Sequence, residues 1–416
     1  MQLNVIKNQV HLMTNLPKNA CVYPFKGAML MHGLPATPCC RFHHRFLDDS
    51  DTESVEAFGA TFADIRETML KNEWHPGCYK CKADEETKGS SMRTEADEFF
   101  DDFTDSTELQ YLEITVGRLC NLKCMSCGPE FSHTWDEDIL KLKMETPDYI
   151  KKLKEVQELD LDNINVDMLQ GLRHIKVTGG EPFLHRQFLS FVVRLAEAGI
   201  APQIHLEIFT NCTWWPKKAD YDALLQFKEL RIRPSIDSIG QCNDVLRFPS
   251  KWDKVEGVLD QWIDMRTKYP EKVSIATATT VGAINAPYMY EFMYWAKVVK
   301  DIDVILQTVY EPNYISILHY PDWFKDNLRY TINMQFNETI KPGKIRPAQK
   351  LLQQLTKHNG MEDKAMEHID KIKRVLRLRG LTINDLPKFK QLLEFKSPGV
   401  NWEQGKEIIW KEDNQL

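Results

Sequence analysis

Between Tyr111 and about Pro312 the chain alternates two hydrophobic patterns. Short β-branched and apolar runs (YLEITVG, LRHIKVTGG, IHLEIFTN, LRIRPSID, KVSIATATTVG and IDVILQTVY) predict buried strands. Longer segments such as HRQFLSFVVRLAEAG and KWDKVEGVLDQWIDMRTKYP carry an apolar stripe at helical spacing and predict helices between those strands. Six strand–helix units in a row predict an α/β fold, a parallel sheet partly closed into a (β/α)6 TIM-like barrel. Beyond residue 320 the pattern turns helical. MEDKAMEHIDKIKRVLRLRG has a helical period, with Gly380 placed to cap it, so a helical C-terminal extension over 322–416 is expected.

Composition narrows the class. The 416 residues are 43% hydrophobic and 27% charged, as in folded globular proteins, and the formal net charge is −7. That balance gives no electrostatic footprint for nucleic acid or an anionic membrane. The opening stretch MQLNVIKNQVHLMTNLPKNA lacks a continuous apolar run, and no apolar run approaches the length of a membrane span. A cytoplasmic chain is therefore expected, with its ten cysteines reduced and read as metal ligands before disulfides.

The cysteines divide the chain. Cys21, Cys39, Cys40, Cys78 and Cys81 fall in a Cys-rich N-terminal unit over 1–95, and Cys120, Cys124 and Cys127 open the barrel unit over 111–321. Between them, 96–110 reads as a solvated acidic linker, with seven acidic residues from Glu95 to Glu108. Cys212 and Cys242 stand apart and read as packing thiols. KIKRVLRLRG reads as the solvated basic face of its helix, with phosphate binding the less favoured reading.

In parallel α/β sheets, sites gather at the carboxyl ends of the strands. The three clustered cysteines follow the first predicted strand, and Gly179-Gly180-Glu181 follows the second. Asn211 follows the third, and Ser235 and Asp237 the fourth. Three thiols suit a zinc site completed by His133, a catalytic zinc with an open fourth position, or a [4Fe–4S] cluster with one iron left open. Trp135 lines a substrate pocket or, by the plainer reading, belongs to the core.

Cys120-x3-Cys124-x2-Cys127 after one strand, GGEP after the next and SIDS after the fourth resemble the radical S-adenosylmethionine (radical SAM) superfamily over Tyr111 to Pro321. The resemblance implies a [4Fe–4S] cluster on the three cysteines, with the open iron chelating S-adenosylmethionine. Its reductive cleavage gives a 5′-deoxyadenosyl radical that takes hydrogen from a substrate. Gly179 and Gly180 would let backbone approach the cofactor, and Glu181 would accept from the methionine ammonium. Ser235 and Asp237 would face the ribose or methionine part, Arg247 the carboxylate, and Asn211 either the cofactor or a turn. One departure stands out: many members carry an aromatic residue before the last cysteine, near the adenine, and this chain has Ser126.

Cys21, Cys39 (with Cys40 as its alternative), Cys78 and Cys81 supply four thiols, enough for a structural zinc or a second iron–sulfur cluster. The pattern around them, with PCC, C-x2-C and GSSMR, is similar to the twitch domain, a shortened relative of the SPASM domain. That implies an auxiliary [4Fe–4S] cluster relaying electrons, although such domains usually follow the barrel and this set precedes it. The expected substrate is a peptide or protein side chain undergoing net oxidation or cross-linking, ahead of a small metabolite such as an amino sugar or nucleoside. An electron donor such as flavodoxin or ferredoxin is implied. A non-enzymatic zinc protein that binds partners is the alternative of a different class.

Overall fold

The computed structural model describes residues 16–43, 45, 47, 62–96, 99–100, 104–156, 158–322, 324–325 and 365–394. An eight-stranded sheet organises them, in the order β2-β1-β3-β4-β5-β6-β7-β8. The strands are β1 (Gly27–Met31), β2 (Leu34–Thr37), β3 (Tyr111–Thr115), β4 (His174–Thr178), β5 (His205–Thr210), β6 (Glu229–Pro234), β7 (Val273–Val281) and β8 (Asp303–Thr308). From β3 to β8 each strand pairs in parallel with the next, as the six apolar runs predict. The fold is a mixed α/β partial barrel with a helical C-terminal region.

Two strands were not legible in the sequence. β1 and β2 form an antiparallel hairpin, and β1 runs parallel to β3 with Gly27 opposite Tyr111 and Met31 opposite Thr115. The cysteine-rich segment thus extends the barrel sheet. The stretch read as a solvated linker is also tied down: Ala96, Phe100 and Leu109 are buried, and the Phe99 ring packs edge-on against Tyr111 and His174.

The sheet has two unlike faces, because successive side chains alternate. One carries Leu112, Ile114, Ile175, Val177, Leu206, Ile208, Leu230 and Ile232, and shares a core with Phe188, Phe191, Val192 and Leu195 of the helix Arg186–Glu197. Helices crossing between parallel strands cover one face, so the curled sheet encloses the other. That inner face is charged and internally paired. Lys176 Nζ lies 2.9 Å from Glu113, Arg233 Nε donates to Glu207 at 2.6 Å, and Arg231 Nε donates to Glu229 at 2.9 Å. At the amino ends of the strands, His174 stacks on His205 with centroids 4.7 Å apart.

The C-terminal helix Ala365–Leu378 ends as predicted: Gly380 has φ +72°, and the Leu381 amide donates back to the Leu376 carbonyl at 2.9 Å. No helix among the described residues is long and apolar enough to cross a membrane.

Candidate functional site

The loop after β3 brings its three thiols together. Cys120, Leu122 and Cys124 form a small buried cluster of their own, with half-buried Cys127 packed against it. Burial pushes the Cys120 thiol up to about 12, with Cys124 adding to the shift, and burial likewise raises Cys124 and Cys127. Such thiols stay protonated until a cation displaces the proton, which is the expected state of a metal-ligand set before loading.

The loop's backbone is held from every side. Lys123 and Met125 amides donate to the carbonyls of Phe248 and Leu246, each at 2.7 Å. Trp135 Nε1 donates to the Cys124 carbonyl at 3.0 Å, and Arg379 Nη2 donates to the Lys123 carbonyl at 2.6 Å. Trp135 is therefore core and loop support at once, and it also lines a cavity beside the loop. Arg379 corrects the reading of KIKRVLRLRG as a solvated face: its guanidinium is buried, 4.7 Å over the Trp135 ring and 5.4 Å over Phe248.

The glycine turn after β4 is shaped by the same loop. Gly180 and Glu181 amides donate to the Gly117 and Leu119 carbonyls, both at 2.8 Å. A methyl group on Gly180 would come within 2.2 Å of the Leu119 carbonyl oxygen, and one on Gly179, whose φ is +116°, within 2.9 Å of the Val116 nitrogen. Backbone does approach closely here, but the partner is the cysteine loop itself.

Glu181 is wholly buried and already engaged. Its carboxylate accepts from Thr210 Oγ1 at 2.8 Å, from the Asn211 amide at 2.7 Å and from the Phe183 amide at 3.3 Å. Burial raises its pKa to about 7 against the pull of those donors. The side chain locks the end of β4 to the end of β5. Asn211 completes the bracket: its Nδ2 donates to Asn121 Oδ1 at 2.9 Å and lies 3.9 Å from Cys120 Sγ.

Asp237 and Arg247 face each other. Arg247 Nε is 2.9 Å from Asp237 Oδ2, and its Nη1 donates to Cys124 Sγ at 3.6 Å. Asp237 Oδ1 accepts from the Thr280 amide at 2.8 Å, and Asn285 Nδ2 donates to the Asp237 carbonyl at 2.7 Å. The pair is buried, not a surface ion pair, and it aims a cation at one thiol. Ser235 is half-buried at the same strand end. His133 does not complete a zinc set: it is exposed, with Nδ1 3.3 Å from the Cys120 amide. Cys212 and Cys242 lie in the apolar core.

Beside Cys127 and Ser126 opens a cavity of about 500 Å³, lined by Phe131, Trp135, Tyr314 and the carboxylates of Glu130, Glu145 and Glu311. Ser126 thus leaves a gap that aromatic rings from elsewhere surround.

The N-terminal thiols also share one neighbourhood. Cys21, Cys39 and Cys78 pack into the main core, and Cys81 is buried. Burial and then Cys81 push Cys78 up to about 12; Cys21 is raised by burial and by Cys78 and Cys81. Cys39 is raised by burial and by Cys40, Cys21 and Cys81. Cys40 is exposed instead, with its Sγ 3.8 Å from Met92 Sδ. Among the described residues no three His, Cys, Asp or Glu side chains are already closed to the grip of a single ion.

Both sets are of the donor type that iron–sulfur ligation uses: the thiols of each lie near one another, and donors from Asn211 and Arg247 point at Cys120 and Cys124 of the three-thiol loop. The parallel strands, the three-thiol loop after β3 and the glycine turn after β4 stand where the resemblance to the radical S-adenosylmethionine enzymes leads one to expect them.

No family model matches the chain. The GTP 3′,8-cyclase of Thermodesulfovibrio yellowstonii is 29% identical over 196 residues, 46% of this chain and 54% of the relative. The GTP 3′,8-cyclase of Listeria welshimeri is 31% identical over 213 residues, 50% of this chain and 55% of the relative. The chain thus spans about half the length of the curated relatives it matches. Among solved structures, Streptococcus suis SuiB bound to S-adenosylmethionine aligns at 14% identity and TM-score 0.34, covering 70% of this chain and 53% of that one. anSMEcpe with bound AdoMet aligns at 18% and 0.35, covering 55% and 61%.

Proposed function

We propose that the chain binds a [4Fe–4S] cluster on Cys120, Cys124 and Cys127 and uses it with S-adenosylmethionine to oxidise a peptide or protein side chain. The observation that carries this is the three-thiol loop itself, one ligand short of a closed site and ringed by polar strand ends. When bound, the cluster and S-adenosylmethionine supply one-electron cleavage of a sulfonium and a carbon radical that takes hydrogen.

The chain's own residues do the positioning. Arg247, fixed by Asp237, offsets thiolate charge at Cys124. Asn211 donates toward Cys120, while Glu181 holds Asn211 and the glycine turn in register. Ser235 faces the cofactor from the end of β6. Cys21, Cys39, Cys78 and Cys81 hold the auxiliary cluster, which leaves no open iron and so serves electron transfer. Cys40, exposed and beside Met92, is the spare of the adjacent pair. The proposed units, 1–95 for the auxiliary cluster and 111–321 for the radical chemistry, would divide the labour, and a flavodoxin or ferredoxin would supply the electron.

A second reading, a nucleotide or other small metabolite as substrate, is favoured by the name of the relatives, GTP 3′,8-cyclase. The test is anaerobic purification with iron, sulfide and zinc analysis, followed by reduction with S-adenosylmethionine. Formation of 5′-deoxyadenosine supports the proposal; zinc without sulfide refutes it. Deuterium carried from a labelled peptide pool or nucleotide pool into 5′-deoxyadenosine then decides between the substrates.

A further inference from the structure

We propose that the Tyr23 hydroxyl donates a hydrogen bond to the group held by the N-terminal thiols and raises its reduction potential. The inference rests on the reading of Cys21, Cys39, Cys78 and Cys81 as iron–sulfur ligands. Tyr23 follows Cys21 by two residues and opens the short helix Tyr23–Lys26. Its side chain is 1% exposed. The ring is wedged between two others, edge-on to Phe100 at 5.0 Å and to Tyr111 at 5.4 Å, each at 89°. That packing fixes where the hydroxyl stands.

The phenol oxygen is sealed from solvent and has no hydrogen-bond partner among the described residues. A buried hydroxyl left in that state costs about 1–3 kcal/mol, so a partner is called for. Among charged and titratable groups, Cys39, Cys21 and Cys40 weigh most on it, followed by Glu113. The same closeness shows at Gly27, where a methyl group would stand 3.0 Å from the Tyr23 ring and 3.3 Å from the Pro38 carbonyl oxygen. The tyrosine ring and the Pro38 carbonyl, one residue before Cys39, thus share the space over Gly27. For a sealed donor that two residues of chain separate from Cys21, the sulfur of a bound cluster is a natural acceptor. Such a bond strengthens as the cluster gains an electron, so it favours the reduced form and raises the potential.

Tyr23→Phe removes one oxygen and keeps the ring. The test is a redox titration of full-length protein reconstituted anaerobically in the C120A/C124A/C127A background, where only the N-terminal set carries a group. Tyr23→Phe should leave the melting temperature of the iron-free protein unchanged or higher. It should weaken reduction roughly tenfold, a fall of about 59 mV for one electron. Tyr111→Phe is the control, because that equally buried hydroxyl already meets Glu113 Oε2 at 3.5 Å; it should leave the potential in place. An unchanged potential in Tyr23→Phe, or equal shifts in both variants, overturns the inference while leaving the cluster reading intact. Zinc without sulfide in this background overturns the cluster reading and the inference together.

Discussion

The two thiol sets differ in what surrounds them. The loop carrying Cys120, Cys124 and Cys127 stands at the carboxyl ends of the strands, with Asn211 and Arg247 directed at its sulfurs. The set of Cys21, Cys39, Cys78 and Cys81 is packed into and beside the apolar core, with Arg93 the cation that weighs on Cys21 and Cys78 and the Tyr23 hydroxyl buried without a hydrogen bond. Three ligands with polar company suit a site that admits a further ligand. Four thiols at the edge of the core, enough to complete a set, suit a closed one. On the proposed function, the difference separates a place for chemistry from a place for storing charge.

The largest effect that can break this contrast is at the open set. Replacing Cys120, Cys124 and Cys127 with Ala should abolish 5′-deoxyadenosine formation and lower iron content from about eight to about four per chain. Loss of all iron would mean that the sets are not independent. Next comes the buried pair. Arg247→Met leaves Asp237 charged and unpaired, at a cost of about 3–5 kcal/mol in a denaturant titration. Adding Asp237→Asn should recover part of the stability but not cluster retention at the three-thiol loop.

Glu181→Gln is a smaller change. A single amide oxygen cannot serve all the donors that the carboxylate accepts, so a loss of about 1–3 kcal/mol is expected at pH 8. The loss should be larger in acid, shrink as pH rises from about 4.5 to 7, and stay level above that. The native carboxyl, raised to about 7 by burial, favours the protonated state, and the wild type itself loses stability as pH climbs from about 4.5 through 7. Glutamine removes that dependence.

The smallest effect lies at the junction of the two regions, where Phe99 meets His174. Burial, then His205 and Arg231, lowers the His174 pKa to about 3. The folded protein therefore resists a proton that the unfolded chain takes up near 6.5. Stability should be full above that pH and decline as pH falls toward 3. His174→Gln should flatten the decline between pH 7 and 5, read as melting temperature, without moving either set's iron content.

The six core strands were legible because fully buried strands need continuous β-branched runs. The hairpin of β1 and β2 was not: GAMLM and LPAT carry weak strand propensity and take that state from pairing with β3. Cys120, Cys124, Cys127, Asp237 and Arg247 could be picked out because their chemistry falls at predicted strand ends. Their partners could not. That Gly180 clears space for Leu119, or that Glu181 grips Asn211, depends on which backbones meet in three dimensions. Arg379 was misread for the same reason: it reaches Lys123 across 256 residues of sequence, which helical periodicity cannot report.

The account stands most directly on one claim, that the three-thiol loop holds a cluster whose open iron takes S-adenosylmethionine. The decisive measurement is the electron paramagnetic resonance spectrum of the reduced cluster in a variant with Cys21, Cys39, Cys78 and Cys81 replaced by Ala, with and without S-adenosylmethionine. The account predicts a [4Fe–4S] signal that shifts when the ligand is added. A signal indifferent to it, or no iron–sulfur signal at the loop, would contradict the claim.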